Sequence, residues 1–394
     1  MKIIGIEDLH ADAGWRVVSF LKIVTDEGLI GWSEFAEARS TPGLTAIIRK
    51  LAEHMIGLDP RATTAIHELL ATITRLTPGG LSAQACAAIE NGCLDVRAKS
   101  LSLPVCDLFG GALRTRLPLY WSHCGTARVR HGRFLPPESA APLRTLDDII
   151  TLGKQVRDQG YTALKTNVIL FDGAEPRVHS PGLFQNHAQW PERNIDAKTL
   201  QGMVDLLSAF RQGAGEGMGL MVDLNFNFRP ESMRRIARAL EPFNLAWLEF
   251  DLHDPVEIAQ IRSGTTLPIA SLETIYGERA IRPYFEARAV DFAIIDVQWN
   301  GMVNAMHMAN LADSFSVNIA AHNYHGHLST LMGAHLCAAV PNFRAMEFVV
   351  DEVPWMNDFM THPLEFENSQ MLVPQRPGWG SDINEAALRA HPVK

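Results

Sequence analysis

Gly219-Leu220-Met221-Val222-Asp223-Leu224-Asn225 reads as a short apolar strand that ends on an acid. The same phrase returns in Ala246-Trp247-Leu248-Glu249-Phe250 and again in Pro268-Ile269-Ala270-Ser271-Leu272-Glu273. Short apolar runs bounded by turn and helix signals are buried strands. The pattern extends both ways, with further candidate strands at 117–122, 163–169, 291–297, 317–321 and 344–348. Amphipathic stretches such as 232–240 and 303–312 lie between them. Repeated βα units of this kind predict a parallel sheet closed into a barrel over residues 116–370.

The polar residues on these strands keep step with the repeat. Lys165 lies on the second strand, Asp223 ends the third, Glu249 the fourth and Glu273 the fifth. Asp296, His322 and Glu347 stand near the ends of the sixth, seventh and eighth. Each is one βα unit from the next, so successive side chains come from neighbouring strands. Polar residues at C-terminal strand ends form the active face of such barrels. One strand acid is equally well a satisfied core carboxylate. Seven polar residues in register have no comparably simple structural reading.

Asp223, Glu249 and Glu273 would repel one another without a cation between them. A hard oxygen set with no Cys or His suits Mg²⁺, with Mn²⁺ as a substitute, rather than zinc. A substrate carboxylate on that ion loses charge, its α-proton becomes easier to remove, and the enolate is stabilised. His322 supplies a base, and Asp296 one strand away fixes its tautomer and raises its basicity. His325, His327 and His335 read as loop or helix residues.

Composition bounds the rest. The chain has 394 residues, is 47% hydrophobic and carries a formal net charge of -9, an ordinary globular composition with no basic face for nucleic acid. A negative protein that binds an anion needs a local positive centre, which a divalent cation supplies. The five cysteines are odd in number and lack C-x-x-C spacing, so they read as thiols of a cytoplasmic protein. No signal-peptide core and no membrane-length apolar run is visible. Residues 1–33 alternate as a hairpin or meander, and 43–77 and 81–100 carry helical periodicity, which makes 1–115 an α+β domain. The stretch 171–195 is long and irregular, as functional or disordered loops are, and 371–394 reads as a tail returning to the first domain.

With these features in order, the chain resembles the enolase superfamily, specifically its mandelate racemase-like subgroup. The resemblance runs through Gly31-Trp32-Ser33-Glu34, Leu94-Asp95, Phe109-Gly110-Gly111, Leu164-Lys165-Thr166-Asn167, Ala321-His322, Met346-Glu347 and the closing Pro377-Gly378-Trp379-Gly380. It implies an α/β fold, a modified (β/α)7β TIM barrel with an N-terminal α+β capping domain completed by the C-terminal tail. It implies Asp223, Glu249 and Glu273 as metal ligands, Asp296–His322 as the base dyad and Glu347 as a partner of the substrate carboxylate or enolate. It also implies a homo-oligomer, anywhere from dimer to octamer.

The second strand departs from the family pattern. A Lys-x-Lys pair is frequent there, its second Lys a base on the opposite face; here the sequence is Lys165-Thr166-Asn167. Lys165 matches the first Lys, beside the substrate carboxylate, and Asn167 cannot take up a proton. One base on one face suits β-elimination, the dehydration of a hydroxy acid to a 2-keto-3-deoxy acid. The expected substrate is a small carboxylate, a sugar acid. The alternative is a cycloisomerase or epimerase of a sugar-acid lactone or anhydro sugar acid, working through the same enolate. His123, Asn225, Trp15, Arg16 and Asn167 are candidate substrate-binding residues. His123 is equally a loop histidine or a second acid, and Trp15 and Arg16 lie on the loop expected over the barrel mouth.

Overall fold

The computed structural model describes residues 1–38, 40–138, 140–181 and 190–393. The chain opens with a three-stranded antiparallel sheet, β1 (Ile3–Asp12), β2 (Val17–Thr25) and β3 (Ile30–Phe35). Three helices pack on it, α1 (Leu44–Ala52), α2 (Thr63–Ile73) and α3 (Gly80–Ser100). The helical periodicity over 43–77 is therefore split in two. Gly57, at φ +86°, and Pro60 lie in the break, the two residue types least suited to a helix interior. A separate apolar cluster, including Leu21, Phe35, Ile48 and Ile89, fills this small domain.

The barrel then begins with β4 (Arg116–Ser122), α4 (Thr126–His131), α5 (Leu146–Asp158) and β5 (Ala163–Asn167). A two-residue pair follows, β6 (Ile169–Leu170) with β7 (Arg177–Val178), and then α6 (Ala197–Ala214). Next come β8 (Gly219–Asp223), α7 (Pro230–Leu240), β9 (Trp247–Glu249), α8 (Pro255–Ser263), β10 (Ile269–Ser271), α9 (Gly277–Glu286) and β11 (Phe292–Ile295). The series ends with α10 (Val297–Asn300), α11 (Met302–Ser314), β12 (Asn318–Ala321), α12 (His327–Ala339) and β13 (Phe343–Val349). Strands β4, β5 and β8 to β13 pair in parallel in that order, and β13 closes on β4. The result is a closed eight-stranded parallel barrel with helices outside.

Local sequence starts several of these helices. Thr145 and Asp148 form a capping box before α5, and Asp254 accepts from the Val256 and Glu257 amides at the start of α8. Pro230 and Pro255 occupy first-turn positions, where a missing N–H costs nothing. The strand expected at 163–169 stops at Asn167. Ile169 and Leu170 turn away to pair with the finger of the 171–195 stretch. Residues 182–189 of that stretch lie outside the described residues.

Inside the barrel a layer of Tyr120, Met221, Trp247, Ala270, Ile294 and Ala320 is packed solid, with Tyr120 and Trp247 edge to face at 5.4 Å. This plug forces polar side chains one step further along each strand to the open end. The tail beyond the barrel forms β14 (Phe366–Glu367) and β15 (Gln370–Leu372), the latter antiparallel to β4, and then α13 (Glu385–Ala390).

The tail also binds the cap. Asp12 N donates to His391 O at 2.8 Å, and Lys22 Nζ meets Glu385 at 2.6 Å. Buried Asp95 on α3 accepts from Trp32 N at 2.8 Å and Trp379 N at 3.0 Å, and Lys99 Nζ lies 2.6 Å from it. Gly378 sits there at φ +71°, and a Cβ would fall 2.1 Å from the Asp95 carboxylate. That is the physical content of the Pro-Gly-Trp-Gly signature. No helix among the described residues is long and apolar enough to cross a membrane.

Candidate active site

The strand register lays out the floor. Asn167 pairs with Asp223, and Asp223 with Glu249, so the second, third and fourth strands deliver side chains at one level. Glu249 is gripped on both oxygens, by Lys165 Nζ at 2.8 Å and by Trp247 Nε1 at 2.8 Å. The chain beyond Asp223 turns back through Asn225 at φ +53°, not onward along a strand face. Asn225 donates to Asp223 from its backbone N at 2.7 Å and its Nδ2 at 2.9 Å, and Asn167 Nδ2 adds a bond at 3.2 Å. Both asparagines are thereby engaged with the acid rather than aimed only at the cavity.

A fourth carboxylate stands among these acids. Asp251, two residues past Glu249, is buried and accepts from Leu272 N at 3.3 Å. Its pKa is raised well above the carboxylate range by burial and then by the charges of Glu273 and Asp223. Burial pushes Glu249 up to about 7, with Lys165 opposing and Asp223 and Glu347 reinforcing. Burial likewise pushes Glu273 up to about 7, with His322 opposing and Asp223 and Glu249 reinforcing. Crowded, desolvated carboxylates of this kind are stabilised by a cation. An all-oxygen donor set fits a hard divalent ion such as Mg²⁺.

A tighter trio lies beside the acids. Ligating atoms of Asp296, His322 and His325 fall within 4.8 Å of one another. Their geometry is a hydrogen-bonded one. Asp296 Oδ2 takes His322 Nδ1 at 2.6 Å and His325 Nε2 at 2.8 Å, while its Oδ1 accepts from Trp299 N at 2.9 Å. Asp296 is the N-cap of α10, just beyond β11 rather than within it. The two imidazoles hold its carboxyl below the usual range against the opposing effect of burial. The other nitrogen of His322 lies 3.3 Å from Glu273 Oε2. Burial alone would lower the His322 pKa, yet Glu273 and the Asp296 bond outweigh it and push it up to about 10.

The opposite side is built differently. Lys165 is clamped between Glu249 and Glu347, the latter at 3.0 Å. Burial opposes its charge, but the two carboxylates win and hold its pKa well above that of an ordinary lysine. Glu347 also accepts from Ser122 Oγ and from Asn323 N, the latter at 2.9 Å. It is kept below the usual range by Lys165 and His322 against burial.

Over the mouth, Trp15 stacks on His131 at 4.4 Å and on Tyr324 at 5.2 Å, and Tyr324 stacks on His123 at 3.9 Å. Arg16 donates to Tyr324 O at 3.0 Å and pairs with Glu352. His123 follows β4 at φ +51°, its Nδ1 2.9 Å from Ser122 Oγ, and burial keeps it neutral, with its pKa well below 6.5. His327 and His335 are buried helix residues, as expected, whereas His325 belongs to the Asp296 cluster and not to a plain loop. His253 is exposed, beside Thr274. Sequence reading missed Asp251, His325 and Glu34. Glu34 comes from the cap strand β3 and accepts from the Gly326 and Ser329 amides at 2.6 and 2.9 Å, at the start of α12. The spacing of Asp251 from Glu249 was a readable signal; the other two depend on tertiary contacts.

A closed βα barrel with ionisable residues at successive C-terminal strand ends, under an α+β cap, defines the class of barrel enzymes to which this architecture points. The enolase C-terminal domain-like family model matches residues 149–387, and the N-terminal domain model of mandelate racemase and muconate lactonizing enzymes matches residues 13–110. The chain belongs to the mandelate racemase/muconate lactonizing enzyme family of the enolase superfamily.

It is 27% identical to a D-xylonate dehydratase of Haloferax volcanii over 95% of this chain and 85% of the relative. It is 26% identical to a D-gluconate dehydratase of Thermoproteus tenax over 98% of this chain and 72% of the relative. Among solved structures it is 40% identical to a Burkholderia xenovorans protein provisionally named an L-alanine-DL-glutamate epimerase, bound to magnesium and fumarate. That match has a TM-score of 0.95 and covers 100% of this chain and 96% of the other.

Proposed function

We propose that this protein is a Mg²⁺-dependent acid-sugar dehydratase, a hydro-lyase that forms a 2-keto-3-deoxy acid. The observation that carries the reading is the asymmetry of the two sides of the floor. His322, held by Asp296 at 2.6 Å, is a proton acceptor once the acids beside it are neutralised. Lys165 is fixed as a cation between two carboxylates. Asn167 has no basic atom. The dehydratase names of the Haloferax and Thermoproteus relatives support the same reading.

In this scheme Asp223, Glu249 and Glu273 hold the ion, with Asn167 and Asn225 fixing Asp223. When bound, Mg²⁺ supplies charge neutralisation for the substrate carboxylate and its enolate. Lys165 adds a fixed positive charge on the same group, and Glu347 orients Lys165. His322 Nε2 removes the α-proton, and the electron pair moves into the carboxylate as an enolate. The pair then returns to form the double bond as the β-hydroxyl leaves, protonated by His322. The products are water and an enol that ketonises to the 2-keto-3-deoxy acid.

Incubation of the Mg²⁺-loaded protein with aldonic and aldaric acids, followed by a keto-acid assay, tests the proposal. Keto acid from at least one member is expected, and none from any member overturns it. A second reading, epimerisation or cycloisomerisation through the same enolate, is favoured by the Burkholderia neighbour's name. It predicts deuterium entry at the α-carbon in D₂O without keto acid.

A further inference from the structure

Asp296 serves two imidazoles at once. Its Oδ2 lies 2.6 Å from His322 Nδ1 and 2.8 Å from His325 Nε2, and its Oδ1 accepts from Trp299 N at 2.9 Å. A carboxylate in its charged form only accepts hydrogen bonds, so both ring nitrogens donate to it. His322 therefore carries its hydrogen on Nδ1, which leaves Nε2 as the atom able to exchange a proton. The donors come from separate segments. His322 follows β12, His325 lies in the loop before α12, and Trp299 lies in α10.

His325 is itself held on both flanks, and its side chain is only 7% exposed. The Trp299 ring stands edge-on to it at 5.7 Å and tilted against His322 at 4.9 Å, and the two imidazoles meet edge to face at 5.4 Å. On the other flank Gly326 N donates to Glu34 Oε1 at 2.6 Å, and a Cβ on Gly326 would fall 2.8 Å from that oxygen. An Asp296 held by Trp299 and His322 alone would follow every tilt of the His322 ring. A second donor on Oδ2 fixes the carboxylate through a group that takes no part in the proton transfer.

We propose that His325 is a positioning residue for the base, its Nε2–H and the Trp299 amide pinning the two oxygens of Asp296 so that Oδ2 stays on His322 Nδ1. The proposal rests on the reading of His322 as the base and deepens it. A histidine that only filled space would be replaceable by any ring of its size. One that aims Asp296 is replaceable only by a side chain that keeps the N–H.

Two variants separate these roles. His325→Phe keeps a ring against Trp299 and removes the donor, and His325→Gln keeps an N–H at about the reach of Nε2. Turnover is read as loss of the substrate α-proton, the step that elimination and isomerisation share. His325→Phe lowers kcat about 30-fold, the scale of one hydrogen bond to a charged group, with KM and Mg²⁺ affinity within about twofold of wild type. His325→Gln recovers kcat to within about threefold. On an Asp296→Asn background His325→Phe costs about twofold at most, because its effect passes through that carboxylate. Crystal structures of the Mg²⁺-loaded variants read the positioning with no substrate present. The 2.6 Å bond between Asp296 and His322 is kept with Gln and is lost, or split between two carboxylate orientations, with Phe. A His325→Phe protein with wild-type kcat, or with the Asp296–His322 bond unmoved, overturns the proposal. So does a Gln variant as slow as the Phe variant, or a full His325→Phe loss on the Asp296→Asn background. An Asp296–His322 bond that follows the N–H at this position, in protein that transforms no sugar acid, supports the positioning and removes the proposed reaction alone.

Discussion

The His322 side and the Lys165 side of the floor carry the same kinds of atom at the same depth, yet their chemistry differs. Each presents a nitrogen base flanked by carboxylates. His322 has one nitrogen fixed by Asp296 and the other 3.3 Å from Glu273 Oε2. Lys165 has its single nitrogen held by Glu249 and Glu347. An imidazole divides its two tasks, being held and exchanging a proton, between two atoms. An amine must perform both with one. Burial is similar on the two sides, so in the proposed reaction partner geometry, not solvent exclusion, would set which group moves a proton.

The strongest way to break this comparison is to remove the mobile side. His322→Asn should lower kcat by about 10⁴-fold while Mg²⁺ still binds. Deuterium exchange at the α-carbon should stop for both C2 epimers of the substrate; residual exchange of one epimer would locate a base on the Lys165 side. Asp296→Asn comes next, at about 10³-fold in kcat, because the imidazole loses the partner that sets its tautomer. A full-rate variant would mean that His325 or Glu273 positions the ring instead.

Lys165→Met tests the fixed side. It should cost about 10²-fold in kcat/KM, the loss of one preorganised charge at the developing enolate. A rate that vanishes as completely as with His322→Asn would place Lys165 among the proton-moving groups. The smallest effect is expected from Asn167→Ala, which frees one side of Asp223. Mg²⁺ affinity should weaken by about 10-fold, read by calorimetry, with kcat at saturating metal little altered. Unchanged affinity would assign Asn167 to the substrate rather than to the acid.

Much of this was legible in the chain because a barrel repeats. The near-constant spacing from Asp223 to Glu347 marks one strand end after another, and the six strands β8 to β13 fall where apolar runs lead up to those residues. The strand ends were less legible. Val297 satisfies an apolar pattern yet begins a helix, because Asp296 caps it through the Trp299 amide. The 163–169 run continues as apolar sequence past Asn167, but Ile169 finds a partner in Val178 that periodicity cannot show. Contacts that join distant segments left the faintest trace. Nothing local in Tyr324-His325-Gly326 says that His325 will share Asp296 with His322. Nothing in the cap says that Glu34 will reach the loop beyond the seventh strand.

That last contact reaches beyond the cap itself. The amides that begin α12 lie four and seven residues past His322, and the carboxylate that satisfies them comes from Glu34, nearly 300 positions upstream. The two domains are thus joined at a point that begins four residues past His322, not only along a broad seam. In a chimera that carries another family member's cap, the graft brings its own residue to that junction. A donor lacking an acid there would leave two buried amides without their acceptor and loosen the segment that follows His322, even when every barrel residue is retained. Cap and barrel already share one apolar core, and the end of the seventh strand is a second property they hold in common.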